Sequence, residues 1–407
     1  MRMRTCRTMT IALTLVIALA WGIASAACLG QTTRAPGNQR QTALSLEQQG
    51  KIVEAEAAWR ACLRTQPANP EPYAHIGLME ARQEHYKEAI PFYRKALALN
   101  PNIPGLRLNL GLALFKDDEM KPALEQFKIL LKTAPPASPE AHRLKILAGM
   151  AHYGLGQFAE AVPYLKDAAQ SDPPNLQLRL ALAHSCLWSK QYHCVLDVYH
   201  EILMLNAESA EADMLAGEAE DELLNPVGAI EQFRAAVKAD PKEPDVHFGL
   251  GYLLWGHKQY AEAAQEFEAE LANNPNQSQA LACLADTHMQ MNHPELAEPL
   301  LEKAIRIDPG IELAHLDLGI LYNDAGRRDD ALREFKIAEK ISPNDGNVHW
   351  RLGRFYRETG KKEEAKAEFD QTRSLLKAAN VPLVSRLHGE QKGAKPAAEV
   401  TGAPPIQ

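Results

Sequence analysis

Two histidines and two cysteines lie within eleven residues, in the segment HSCLWSKQYHC. Imidazole and thiolate groups bind zinc and haem iron, and two thiols in an oxidising compartment can form a disulfide. The cluster comprises His184, Cys186, His193 and Cys194, a spacing that matches no standard ligand pattern, and C-x-x-C-H is absent from the chain. Three interpretations therefore stay open for the cysteines: free thiols, one disulfide, or a metal site.

No catalytic signature accompanies this cluster. The chain of 407 residues contains none of the patterns G-x-S-x-G, G-x-x-x-x-G-K-[ST] and H-E-x-x-H. The net charge of -8 argues against a nucleic-acid partner, because phosphates require a basic surface. We therefore expect a protein that is not an enzyme, has no cofactor and binds no nucleic acid.

The elements that carry these residues recur along the chain. Small residues are spaced by 34, with one step of 38, at Ala43, Gly77, Gly111, Gly149, Ala183, Gly217, Gly251, Ala285, Gly319 and Gly353. Alanine follows twelve residues later in nine of the ten periods, an aromatic residue or leucine four residues after that, and proline closes eight periods. Each period contains two apolar stretches of helical periodicity that are too short to be stable alone. Neighbouring helix pairs must therefore stack to bury their apolar faces.

This pattern resembles the tetratricopeptide repeat. In the second period the motif residues include Tyr73, Gly77, Ala89, Tyr93 and Pro101. The resemblance covers about residues 36–377 and implies an all-α, right-handed superhelical solenoid of about ten helix-turn-helix repeats over residues 38–377. In this frame Cys186 lies in the first helix of its repeat and Cys194 at the start of the second, where a disulfide could join them.

The N-terminus has the pattern of an export signal. The basic segment MRMRTCR precedes an apolar stretch that ends in small residues, which predicts a signal peptide over residues 1–27. Ala24-Ser25-Ala26 fits signal cleavage, whereas Ser25-Ala26-Ala27-Cys28 resembles a bacterial lipobox and makes Cys28 a lipidation candidate. Both interpretations predict an exported protein, either periplasmic or a membrane-attached lipoprotein that faces the periplasm. Membrane contact is expected only through this N-terminal lipid or anchor.

Three segments depart from the repeat pattern. Residues 28–37 are predicted to be a linker, and the step of 38 residues places a four-residue insertion near residues 134–142, in APPASPEAH. Residues 378–407 lack aromatic side chains and are rich in proline, alanine and glycine, which predicts a disordered tail.

The resemblance also implies a binding groove, because the first helices of tetratricopeptide repeats line a concave face. Five positions of each repeat then point into the groove. They give Leu108, Leu112, Phe115, Ile146, Met150, Tyr153, Leu180, His184, Leu187, Trp188, Glu211, Glu218, Asp221, Glu222, Phe248, Tyr252 and Trp255. This set is mostly apolar and aromatic, with an acidic band in the sixth repeat. It favours a protein or peptide ligand of apolar or amphipathic character, with basic residues near that band.

The leading functional hypothesis is thus a non-enzymatic scaffold or adaptor of the cell envelope that binds a partner in this groove. One alternative is a periplasmic chaperone for metal or haem, for example in cytochrome maturation, that uses the histidines and cysteines of residues 184–194. Another is the substrate-recognition part of an enzyme such as a glycosyltransferase. His247, His315 and His349 share the fourth position of their repeats, where packing explains them better than metal binding.

Overall fold

The computed structural model describes residues 36–205 and 209–379, and these ranges contain twenty α-helices and no strand. The helices are α1 (Pro36–Gln48), α2 (Ile52–Thr65), α3 (Pro70–Arg82), α4 (Tyr86–Leu99), α5 (Leu106–Lys116), α6 (Met120–Leu131), α7 (Pro139–Gly154), α8 (Phe158–Ser171), α9 (Leu176–Trp188), α10 (Tyr192–Met204), α11 (Ala210–Glu222), α12 (Pro226–Ala239), α13 (Val246–Gly256), α14 (Tyr260–Asn273), α15 (Ser278–Gln290), α16 (Pro294–Ile307), α17 (Glu312–Asp324), α18 (Arg328–Ile341), α19 (Gly346–Glu358) and α20 (Lys362–Ala379). The all-α prediction is confirmed.

The described helices pack as consecutive hairpins within two units, and the division falls within α9, after Ala181. In the first unit α1–α2, α3–α4, α5–α6 and α7–α8 are hairpins, and each even helix before α8 also packs on the helix that follows it. In the second unit the same arrangement runs from α11–α12 to α19–α20, and α10 packs on α11. In addition, α13 contacts both α11 and α15. The predicted tandem helix-turn-helix architecture is therefore confirmed.

The small residues of the sequence pattern lie where an aromatic ring meets a helix backbone. A Cβ atom added to Gly77 would lie 2.8 Å from Cδ1 of Tyr93, on the second helix of the same hairpin. Phe233 lies between two such glycines: a Cβ would approach its ring to 2.6 Å at Gly217 and to 2.2 Å at Gly249 of the next hairpin. One aromatic side chain therefore fills both the contact within a hairpin and the contact between hairpins.

Each hairpin turn contains one residue in the left-handed region. The ten residues are Gly50, Glu84, Asp118, Gly156, Lys190, Leu224, Lys258, Asn292, Gly326 and Gly360, with φ between 61° and 78°. They lie between the two helices of their hairpins at equivalent positions. The backbone path of the turn is therefore kept while the residue type varies.

A side chain at the fourth position of several repeats donates a hydrogen bond to the proline carbonyl that closes the preceding repeat. We call this contact the fourth-position link. The pairs are Tyr73 with Pro67, Arg179 with Pro173, His315 with Pro309 and His349 with Pro343. The link gives a specific polar contact to a boundary that is otherwise packed by apolar side chains.

Several predicted segments lie outside the described residues: the signal peptide (1–27), Cys28, most of the linker (28–37) and most of the tail (378–407). The first described helix begins at Pro36 and the last ends at Ala379. The predicted insertion near residues 134–142 falls on the end of the loop between α6 and α7 and on the first turn of α7, which begins at Pro139. No helix in the described part of the chain is both long and apolar enough to cross a membrane.

Candidate partner-binding surface

The histidine and cysteine cluster is organised by a disulfide. Cys186 of α9 is bonded to Cys194 of α10, with the two Cα atoms 5.8 Å apart. His184 Nε2 lies 2.8 Å from Oε1 of Glu211, and His193 is exposed. Because each sulfur is bonded to the other, neither is a thiolate ligand in this form. The cluster therefore cross-links one helix hairpin.

The predicted groove residues of the first unit are mostly half-buried. Leu108, Leu112 and Phe115 of α5 pack partly against the core formed with α4, α6 and α7. On α7, Ile146, Met150 and Tyr153 are also partly exposed. Leu180 is only 4% exposed and belongs to the core. The partly exposed apolar side chains of α5 and α7 remain accessible to a ligand.

The predicted groove residues of the second unit differ in their exposure. Phe248 is buried against Phe267, with ring centroids 6.0 Å apart, and Leu187 is also buried. Neither presents a side chain to a partner, because the motif position fixes the direction of a side chain and not how far its neighbours cover it. By contrast, Trp188 is 49% exposed, and Tyr252 and Trp255 are partly exposed.

The aromatic side chains of α13 are held in fixed positions. The rings of Tyr252 and Trp255 lie 5.6 Å apart between centroids. Trp255 Nε1 donates a hydrogen bond of 2.6 Å to Oδ2 of Asp286, a buried residue of α15. Gln290 donates to the other oxygen of Asp286 at 3.1 Å. The indole of Trp255 is thus oriented by the next repeat, as an aromatic anchor for a partner requires.

The acidic band lies on α11. Glu211 contacts His184, and Glu222 accepts a hydrogen bond of 2.8 Å from the hydroxyl of Tyr192. The side chain of Asp221 is largely exposed, and partial desolvation together with the charge of Glu222 raises its pKa. Glu218 lies between these residues on the same helix and forms no hydrogen bond or ion pair.

Glu218 is the most perturbed carboxyl group of this band. Burial raises its pKa to about 7, and the charges of Glu222, Asp221 and Asp245 add to the shift while His184 opposes it. A carboxylate that is surrounded by other carboxylates and desolvated by the protein is costly to ionise. Near neutral pH, Glu218 therefore exists as a mixture of the protonated and ionised forms.

Three histidines at the fourth position form pairs that the sequence interpretation missed. Each histidine Nδ1 lies within hydrogen-bond distance of a glutamate nineteen residues later, on the second helix of the same hairpin. We call these contacts the His–Glu pairs: His247 with Glu266 at 2.6 Å, His315 with Glu334 at 2.7 Å and His349 with Glu368 at 2.7 Å. The recurrent spacing of nineteen residues is the signal that could have revealed them.

The last of these pairs belongs to a neutralised network. Both ring nitrogens of His349 face acceptors, Glu368 and the carbonyl of Pro343, so both are satisfied only when both donate. Burial alone would lower the pKa of His349, but these hydrogen bonds outweigh burial and raise it. Glu339, His349 and Glu368 have ligand atoms within 4.8 Å of one another, yet Lys336 lies 2.8 Å from Glu339 and 3.5 Å from Glu368. Lys336 thus supplies positive charge to both glutamates of this group.

The chain is similar to two longer proteins. It is 23% identical over 313 residues to the BBSome complex member BBS4 of Bos taurus, covering 77% of this chain and 59% of the bovine protein. It is 23% identical over 309 residues to the protein CTR9 homolog of Arabidopsis thaliana, covering 73% of this chain and 28% of the plant protein. The chain thus spans less than two thirds of either relative.

A solved structure of a tetratricopeptide repeat protein from Parabacteroides merdae is also similar. It covers 66% of this chain and 97% of its own length, with 19% sequence identity and a TM-score of 0.48. One model of the tetratricopeptide repeat matches residues 40–104, 214–278, 284–346 and 316–375, and a second matches residues 80–146 and 152–219. These matches cover most of the chain and coincide with the helix hairpins, so the chain belongs to the tetratricopeptide repeat family.

Proposed function

We propose that this chain is a non-enzymatic interaction scaffold of the cell envelope that binds a protein or peptide partner through its odd-numbered helices. The proposal is supported by the exposure and charge of five side chains on α9, α11 and α13, which we call the odd-helix surface: Trp188, Glu218, Asp221, Tyr252 and Trp255. It combines the exposed ring of Trp188 and two partly exposed aromatic rings with two carboxylates on which no lysine or arginine acts strongly. Aromatic anchors beside a charged rim are the usual composition of a binding interface.

The chemistry of this surface favours an amphipathic partner. Trp188, Tyr252 and Trp255 offer apolar area to the apolar side of a helix or extended peptide, and the acidic band of α11 offers negative charge to its polar side. The net charge of -8 adds a general attraction for basic segments. Partner binding then uses a surface that is already formed by the packing of rigid helices.

Export to an oxidising compartment is the second part of the proposal. The signal pattern of residues 1–27 supports it, and so does the Cys186–Cys194 disulfide, since such bonds persist mainly outside the cytosol. Cys28 is the proposed lipid attachment site. Mass spectrometry of the mature N-terminus tests this part: a diacylglycerol adduct on Cys28 supports a lipoprotein, whereas cleavage after Ala26 supports a free periplasmic protein.

Affinity capture from an envelope extract tests the binding proposal, with the wild type compared with Trp188→Ala. Because Trp188 is 49% exposed, the substitution removes an anchor without opening the core. The matched control is Leu296→Ala on α16, where the leucine is 46% exposed on a second helix of a hairpin. We expect the captured proteins to be lost from Trp188→Ala and retained by Leu296→Ala. Equal capture by all three proteins would contradict the proposal.

A further inference from the structure

We infer that Glu218 is the centre of a subsite for the lysine or arginine side chain of a bound peptide. The inference rests on the proposed function, because it names the chemical group that the odd-helix surface recognises. It is drawn from the arrangement of charge, aromatic rings and unused hydrogen-bond capacity around one side chain.

Three carboxylates act on Glu218, two from α11 and one from the residue that precedes α13. Asp221 and Glu222 follow it by three and four residues, so they lie on the same side of α11 one turn further on. Asp245 precedes α13, and its backbone is in the left-handed region with φ of 65°. Its Oδ1 accepts a hydrogen bond of 2.7 Å from Gln277, which fixes that carboxylate near α13. Negative charge therefore converges on Glu218 from both α11 and α13.

The protein supplies little positive charge at this point. Of the charged groups that act most strongly on Glu218, only His184 favours the ionised form, and its Nε2 already contacts Glu211. His257 has the corresponding effect on Asp221. No lysine or arginine is among these groups, and the carboxyl group of Glu218 has no hydrogen-bond partner. The protein therefore supplies little counter-charge to the ionised form, and a cation of a bound ligand can supply the rest.

The aromatic ring of Tyr252 lies near Asp221 of the acidic band. Burial chiefly raises the pKa of the Tyr252 hydroxyl, and the charge of Asp221 adds to the shift. The ring centroids of Tyr252 and Trp255 are 5.6 Å apart. Aromatic faces attract ammonium and guanidinium groups and also pack against the aliphatic stems of lysine and arginine. A carboxylate beside such rings suits a basic side chain better than it suits a bare ion.

The geometry argues for an organic cation rather than a metal ion. In the described part of the chain, one group of histidine and acidic residues has ligand atoms within 4.8 Å of one another, and it consists of Glu339, His349 and Glu368. The carboxylates around Glu218 are more widely spread. A guanidinium or ammonium group on a long stem can reach separated acceptors, whereas a metal ion requires ligands at about 2–2.6 Å.

Three fluorescein-labelled peptides test the inference. They share one amphipathic leucine and alanine helix and differ in one central residue, which is lysine, arginine or glutamine. Binding is measured by fluorescence anisotropy with the wild type, with Glu218→Gln and with Glu220→Gln. Glu220 lies on the same helix and contacts Asn225, so the control removes the same charge from a different side of α11.

At pH 8 we expect the wild type and Glu220→Gln to bind the lysine and arginine peptides about tenfold more tightly than the glutamine peptide. Glu218→Gln should bind all three alike. The preference for the basic peptides should shrink at pH 6, because Glu218 is then mostly protonated. The other titratable groups that act on it are His184, Asp221, Glu222 and Asp245. Equal affinities in the wild type, or a preference that survives in Glu218→Gln, would overturn the inference.

The outcomes separate this inference from the proposed function. Binding of all three peptides that is lost in Trp188→Ala, with no preference for a cation, leaves the scaffold intact and removes the subsite. If no peptide binds, titration of isotope-labelled protein with n-butylguanidinium decides: shifts confined to α11 and α13 support the subsite, and their absence overturns it. Displacement of a basic peptide by calcium alone, without a preference among the three peptides, would indicate a divalent-cation site and also overturn it.

Discussion

Two kinds of carboxylate lie in the repeats of residues 182–407. Glu334 and Glu368 face the rings of His315 and His349, at 2.7 Å in each pair, and the same histidines reach back to the preceding repeat. Glu218 lies among other acidic groups and accepts no hydrogen bond from the part of the protein that the structure describes. Where the chain supplies a hydrogen-bond donor, the carboxylate stabilises the fold. Where the chain supplies no such donor, the carboxylate remains available to a ligand.

The largest expected effect comes from removing one His–Glu pair. His315→Ala leaves the buried Glu334 without the imidazole and removes the hydrogen bond to the carbonyl of Pro309. We expect the free energy of unfolding to fall by about 2–4 kcal/mol, as for a buried pair that loses one member. Urea unfolding followed by circular dichroism measures it. The control is His293→Ala, an exposed histidine, and equal curves for the two variants would show that the pair is not structural.

Glu218→Gln should instead raise the free energy of unfolding. The folded-state pKa of about 7 lies above the unfolded value of about 4.3, so the folded state holds the extra proton between these values. The contribution of this group to stability therefore falls as pH rises through that window. Glutamine removes this pH dependence of stability. We expect the free energy of unfolding to rise by about 1–3 kcal/mol at pH 8 and by almost nothing at pH 4. A thermal scan across pH measures it, and a loss of stability at pH 8 would show that Glu218 already has a favourable partner.

His349→Gln should lower the free energy of unfolding by a smaller amount that depends on pH. Because the folded-state pKa of His349 is raised, its contribution is complete below the unfolded value of about 6.5 and is lost as pH rises through the folded value. Between pH 6 and pH 9 the free energy of unfolding should fall by on the order of 1 kcal/mol more in the wild type than in the variant. Unfolding midpoints of both proteins, measured across pH, test this. Parallel pH profiles for the wild type and the variant would contradict the assignment of a charged ring to His349.

The smallest predicted effect separates backbone strain from charge. Leu224 follows the acidic band, is 87% exposed and has φ of 62°, a region in which glycine carries no steric penalty. Leu224→Gly should raise the free energy of unfolding by up to about 1 kcal/mol, equally at pH 5 and pH 8. A gain that varies with pH would mean that the turn and the charge of α11 are coupled.

The spacing of small and aromatic residues was sufficient to predict the helix hairpins, because Gly77 and Tyr93 meet in one way only. The left-handed turn position escaped prediction, since Leu224 and Lys258 occupy it as well as glycine. The His–Glu pairs escaped because their members meet only after the hairpin closes. Phe248 was assigned to the surface from its position alone, whereas its burial depends on neighbouring repeats. The export signal and Cys28 stay predictions, because they lie outside the described residues.

The disulfide between α9 and α10 has a consequence for how the array comes apart. Repeat proteins lose structure by fraying, one repeat after another, since each is held only by its neighbours. The bond closes a loop with a sequence separation of eight residues. The two helices it joins therefore cannot drift apart even when adjacent packing is lost, and they can serve as a template on which the next repeat re-forms.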